Sequence, residues 1–158
     1  MSSRRIRTSS FSAAATRRQA LSTPLAFLAA TVCAAVVSSL VNVLIAVLAH
    51  AAGASPAFLA LQPQVFLVFT VVGTLAGVVG WTVIRSRSAR PAAVLRWLVP
   101  TVLVLSFIPD LMVGFSGGMP GTSWTVVVGL MLMHVSVTAA AVLSLRTFLP
   151  VQAEGARS

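Results

Sequence analysis

LAFLAATVCAAVVSSLVNVLIAVLA, residues 25–49, runs for 25 residues without a charged side chain. At about 1.5 Å of helix rise per residue it reaches across roughly 38 Å, more than the ~30 Å hydrocarbon core of a bilayer. The run reads as a transmembrane helix. It is too long for the core of a secretory signal, which spans roughly 7–15 residues. Thr16-Arg17-Arg18-Gln19 gives a loose twin-arginine pattern, and Ala30-Thr31-Val32 before Cys33 lacks the Leu and small residue of a lipobox. The run is therefore expected to stay as a helix over about 24–50. Pro24 suits its first turn, with Ser22 or Thr23 as cap.

Three further uncharged or nearly uncharged stretches predict helices over about 65–84, 92–113 and 123–148. Hydrophobic residues make up 58% of the chain and charged residues 8%. A soluble domain carries roughly 25% charged residues, so this composition cannot build a water-facing surface. The expected fold is all-α: a four-helix transmembrane bundle, up-down-up-down, over residues 23–149. A basic tail over 1–22 precedes it, and a polar tail over 150–158 follows.

The net charge of +9 comes from eleven arginines with no lysine. That usage, with abundant Ala, Val and Leu, fits a GC-rich bacterial genome. The arginines cluster at the ends of apolar runs rather than on one folded face, which argues against nucleic-acid binding. The 1–22 tail, the 85–91 link and Arg146 hold nearly all of them; the links 51–64 and 114–122 hold none. Cytoplasmic segments carry the excess of Arg, so both termini are expected in the cytoplasm of a multi-pass bacterial inner-membrane protein. Four spans returning the chain to its starting side agree with that count. The first tail, with Arg4, Arg5, Arg7, Arg17 and Arg18, is too polar to fold alone. It is expected to be a disordered topology signal that also contacts anionic lipid, at roughly 1 kcal/mol per basic residue.

Local signals refine the links. Ser55-Pro56 predicts a short interfacial helix over Pro56–Leu61, with Phe58 and Leu59 dipping into the bilayer and Pro63 ending it. Gly73, Gly77 and Gly80 form a small-residue stripe expected to pack against a neighbouring helix within the molecule. Trp81 before Arg85 marks a membrane–water boundary, as do Arg96 and Trp97. Pro100 and Pro109 remove backbone donors and predict kinks or local unwinding. The link 114–122, GFSGGMPGT, has no Lys after its glycines and no preceding strand, so it is no phosphate cradle.

Candidate chemistry rests on polar residues inside the spans: Asn42, Asp110 and His134. An intramembrane ionisable group is a functional hypothesis by default. One reading sets all three around a polar cavity opening outward, with His50 at its mouth. The other has Asp110 capping a broken helix near the outer surface, and Asn42 and His134 joining helices by hydrogen bonds. No catalytic constellation, metal-ligand cluster or cofactor motif is present in the sequence, and lone Cys33 is a packing residue.

A basic N-terminal tail, Asn42 late in the first helix, the basic turn after the second, Leu105-Ser106-Phe107-Ile108-Pro109 and Met133-His134-Val135 together resemble a family of short four-span actinobacterial membrane proteins of unknown function. The resemblance covers about Leu25 to Leu149 and implies architecture alone. The span count is also similar to that of small multidrug exporters. Those rely on a carboxylate in the middle of the first helix, and its absence here counts against an exporter. The expected function is a non-enzymatic accessory or scaffold subunit packing through the glycines of the second helix, with a membrane-protein partner or a homo-oligomer. The alternative is a small proton-linked transporter or sensor using Asp110 and His134.

Overall fold

The computed structural model describes residues 23–151, and all regular structure among them is helical. The basic cluster of the first tail and most of the final tail lie outside the described residues. Four long helices form: α1 (Thr23–Ala51), α2 (Pro63–Arg87), α3 (Pro91–Ser116) and α4 (Trp124–Phe148). Each is long and apolar enough to cross a membrane. A single 3-10 turn, Leu59–Leu61, lies between α1 and α2.

The helix ends follow from local chemistry. α1 stops at Gly53, whose φ of 93° is left-handed. Gly53 N–H donates to the His50 carbonyl (3.0 Å) and Ala54 N–H to the Ala49 carbonyl (2.9 Å), closing a Schellman motif. Pro63 opens α2 rather than merely ending the preceding turn, because a proline in the first turn forfeits no helical bond. α2 then runs to Arg87, three residues past the expected end, and Ser88–Arg90 alone links it to α3. α3 ends on Gly117, again left-handed (φ 59°). Ser123 caps α4, its hydroxyl accepting from Val126 N–H at 3.3 Å.

Two apolar clusters fix the chain direction. One gathers Ala26, Ala30 and Ala34 from the start of α1, Val78 and Trp81 from the end of α2, Leu95 from the start of α3, and Leu145 from the end of α4. The other gathers Ala46 and Ala49, Phe58 and Leu61, Phe66, and Val126 and Met133 from the opposite ends. Consecutive helices therefore run antiparallel, up-down-up-down.

The packing uses small side chains. α1 buries Ala26, Ala30, Ala34, Ser38, Asn42, Ala46 and Ala49, a nearly unbroken series at four-residue steps. Lipid tails are as apolar as Leu, so burying Leu between membrane helices gains little; close van der Waals approach drives association instead. The large residues of α1, such as Leu40 and Leu44, are exposed toward the membrane. α2 answers with Phe66, Thr70, Thr74 and Val78 at four-residue steps, then Trp81 three residues on. α4 buries residues on several faces and packs against each of the other helices, most extensively α1. α3 is the outlier: Leu95 and Asp110 are its buried residues.

Three local expectations are corrected. Phe58 is 1% exposed and fills the second cluster instead of dipping into lipid, because the 3-10 turn folds back over the bundle; Leu59 does face outward. Trp81 is buried, and its Nε1–H donates to the Leu149 carbonyl at 3.0 Å, so it clasps α2 to the end of α4 rather than anchoring at headgroups. α3 runs as one continuous helix through Pro100 and Pro109, without local unwinding, so Asp110 caps no broken end. Of the α2 glycines, Gly73 and Gly77 lie beside α4. A Cβ at Gly73 would meet Val137 at 3.7 Å, one at Gly77 would meet Ala141 at 3.9 Å, and one at Gly80 would meet nothing within 4 Å.

Candidate functional site: two polar groups on opposite faces of α4

Asn42, Asp110 and His134 do not share one site. Ser136 and His134 are two residues apart on α4, which turns their side chains by about 200° relative to each other. Ser136 meets Asn42 of α1; His134 meets Asp110 of α3.

The first group lies in the interior of α1, α2 and α4. Asn42 Nδ2 donates to Thr70 Oγ1 at 2.8 Å, and Ser136 Oγ donates to Asn42 Oδ1. Thr70 Oγ1 in turn donates to the Phe66 carbonyl of its own helix at 2.7 Å. One amide thus ties three helices together about nine residues, or roughly 14 Å, from the end of α1. Ser38 and Thr74, one turn away on α1 and α2, are also fully buried. The sequence reading singled out Asn42 but missed Thr70, Thr74, Ser38 and Ser136. The signal was there: Ser38 and Asn42 continue the alanine series, and Thr70 and Thr74 sit four apart.

The second group lies between α3 and α4. Asp110 is 7% exposed, six residues before the end of α3, at a depth of about 9 Å along the helix. His134 stands ten residues into α4, close to mid-span. Its Nδ1 lies 3.0 Å from the Leu130 carbonyl and 3.3 Å from Asp110 Oδ2. Both neighbours are acceptors, so Nδ1 carries the hydrogen. That hydrogen is directed to Leu130, and Asp110 Oδ2 consequently sits beside the imidazole, buried, without a hydrogen bond of its own. Phe107 meets the imidazole edge-on, with ring centroids 6.4 Å apart. The His134 side chain remains 39% exposed. Gly114, one turn beyond Asp110, lets α3 pack tightly on α4: a Cβ there would lie 2.9 Å from Val127 Cγ2.

Asp110 is the one carboxylate side chain among the described residues, and none of them form a cluster of three potential metal ligands. His50, near the end of α1, bonds back to its own helix through Nδ1 and the Ala46 carbonyl at 2.7 Å, apart from both groups. Chemically, the Asn42 group holds helices in register. The Asp110–His134 pair sets a buried carboxyl group 3.3 Å from a partly exposed imidazole between α3 and α4, two ionisable groups inside the spans.

No curated protein and no solved structure matches the chain. A family model does, over residues 15–150, and so takes in all four helices and both polar groups. The chain belongs to a family of unknown function, DUF6069.

Proposed function

We propose that this chain is a non-enzymatic accessory or scaffold subunit of a membrane complex, and that α3 is the helix it offers to a partner. The reading rests on how little α3 is used at home. Its exposed side includes Trp97, Val104, Met112 and Phe115, while α1, α2 and α4 pack closely through small residues. Lipid covers exposed apolar surface in any membrane protein, so apolarity alone does not mark an interface. The half-exposed imidazole beside α3, near mid-span, is the stronger support, because a polar ring facing hydrocarbon without a partner is costly. We place the protein in a bacterial cell membrane, of actinobacterial type, with both termini cytoplasmic and its N-terminal arginines against anionic lipid. The experiment is photocrosslinking from Val104 and Met112 in native membranes, with Phe69 of α2 as control, followed by native mass spectrometry. One discrete adduct from α3 positions, lost in His134→Ala, is expected. Equal adducts from Phe69, or a bare monomer throughout, would sink the reading.

A second reading is a small proton-linked transporter or sensor. The buried carboxylate 3.3 Å from an imidazole favours it. It expects proteoliposomes to respond to an imposed pH gradient, and Asp110→Asn to abolish that response. An unchanged response in Asp110→Asn removes it.

A further inference from the structure

We propose that the interior of the bundle binds one structural water molecule between α1 and α2, held by Thr74, Ser38 and Asn42. The two helices run antiparallel with Asn42 opposite Thr70. One turn back along α1 and one turn on along α2 sets Ser38 opposite Thr74. Both residues are 0% exposed and lie on the stripes their helices bury. Thr74 Oγ1 has no hydrogen-bond partner. Several threonines of the spans return their hydroxyls to their own helix: Thr31 to the Phe27 carbonyl, Thr70 to Phe66 and Thr82 to Val78. Thr74 does not, although the same type of carbonyl lies one turn behind it. A buried polar group that is neither bonded nor removed points to a bound polar ligand.

The remaining bonding capacity identifies that ligand. Ser38 Oγ donates to the Ala34 carbonyl at 2.6 Å, which leaves it acceptor capacity only. Asn42 Nδ2 has spent one of its two hydrogens on Thr70. Thr74 keeps a donor and two acceptor positions. A cation needs acceptors on every side and, in a dry interior, a negative charge; here an amide N–H would face it. Water both donates and accepts. It can receive from Asn42 or Thr74 and give to Ser38, close to the three bonds usual for an internal water. The same water completes a network that already joins α1, α2 and α4 through Asn42.

The test uses the full chain in lipid nanodiscs. Infrared difference spectra on exchange of H2-16O for H2-18O should contain a sharp O–H stretch in the wild type. Thr74→Ser should retain it and Thr74→Val should lose it. Thr74→Val should also lower the thermal midpoint, because Asn42 and Ser38 lose their shared partner. A band absent from the wild type, or unchanged in Thr74→Val, overturns the proposal. So does a midpoint raised or unmoved by Thr74→Val, the behaviour of a hydroxyl that was simply unpaired. If Thr74→Val does not fold, Ser38→Ala replaces it and must shift the band; an unshifted band again overturns the site.

Discussion

At the scale of single residues, Asp110 and His134 matter because neither is well served without the other. Replacing His134 by Ala leaves the buried carboxylate beside an apolar gap. The expected loss is about 0.5–3 kcal/mol of stability, the range for residues in direct contact, since no hydrogen bond to Oδ2 is lost. Thermal unfolding in mild detergent measures it, and a double-mutant cycle with Asp110→Asn should give a coupling of at least ~0.5 kcal/mol. Coupling near zero would mean that the 3.3 Å approach carries no energy. Asn42→Ala removes two interhelical bonds; at the ~0.6 kcal/mol average for such bonds in membranes, about 1 kcal/mol should go. These three residues were legible in the sequence because a strongly polar side chain in a long apolar run stands out against its neighbours. Their partners were not. Serine and threonine can satisfy themselves on their own helix, so Thr70 and Ser136 gave no signal that they also reach across. Only the structure separates the three into two groups, since the angle between positions 134 and 136 means nothing until the neighbours of α4 are known.

At the scale of elements, the association of α1 with α2 and α4 depends on what is missing from side chains. Ala34→Leu forces a branched side chain into a site with no exposed surface, and overpacking of this kind costs about 1–3 kcal/mol. Glycines sort by their surroundings rather than by motif. Gly114→Ala should destabilise, since its new methyl would stand 2.9 Å from Val127 and 3.3 Å from Trp124. Gly80→Ala meets nothing within 4 Å and should be neutral or stabilising, by up to ~1 kcal/mol of helix propensity. Equal thermal midpoints for the two variants would contradict that ordering. The sequence drew attention to Gly73, Gly77 and Gly80 because their spacing matches a known packing pattern. It passed over the alanine series of α1, because alanine is so common in this chain that a regular alanine stripe is hard to see. Helix ends were legible to within a few residues, wherever Pro or Gly marked them.

At the scale of the whole molecule, arginine placement makes a topological prediction. Alkaline phosphatase inserted near Gly53 or Gly118 should be active, and fusions at residue 151 should be inactive; the reverse pattern would invert the bundle. The sequence alone determined that the chain crosses a membrane four times. That property is a sum over composition and run length: some twenty apolar residues cross the hydrocarbon whatever they touch. It likewise determined the antiparallel order, since an irregular link cannot re-cross the hydrocarbon core with its backbone groups unpaired. The tertiary structure decided which faces meet. In lipid, nearly every face of an apolar helix is acceptable to the solvent, so no in–out contrast marks the buried side as it would in water. The choice of the Ala-Ser-Asn face of α1, the inward turn of Phe58 and Trp81, the exposure of α3 and the pairing of Asp110 with His134 therefore came from close packing and hydrogen bonding between helices, which no single span carries in its own sequence.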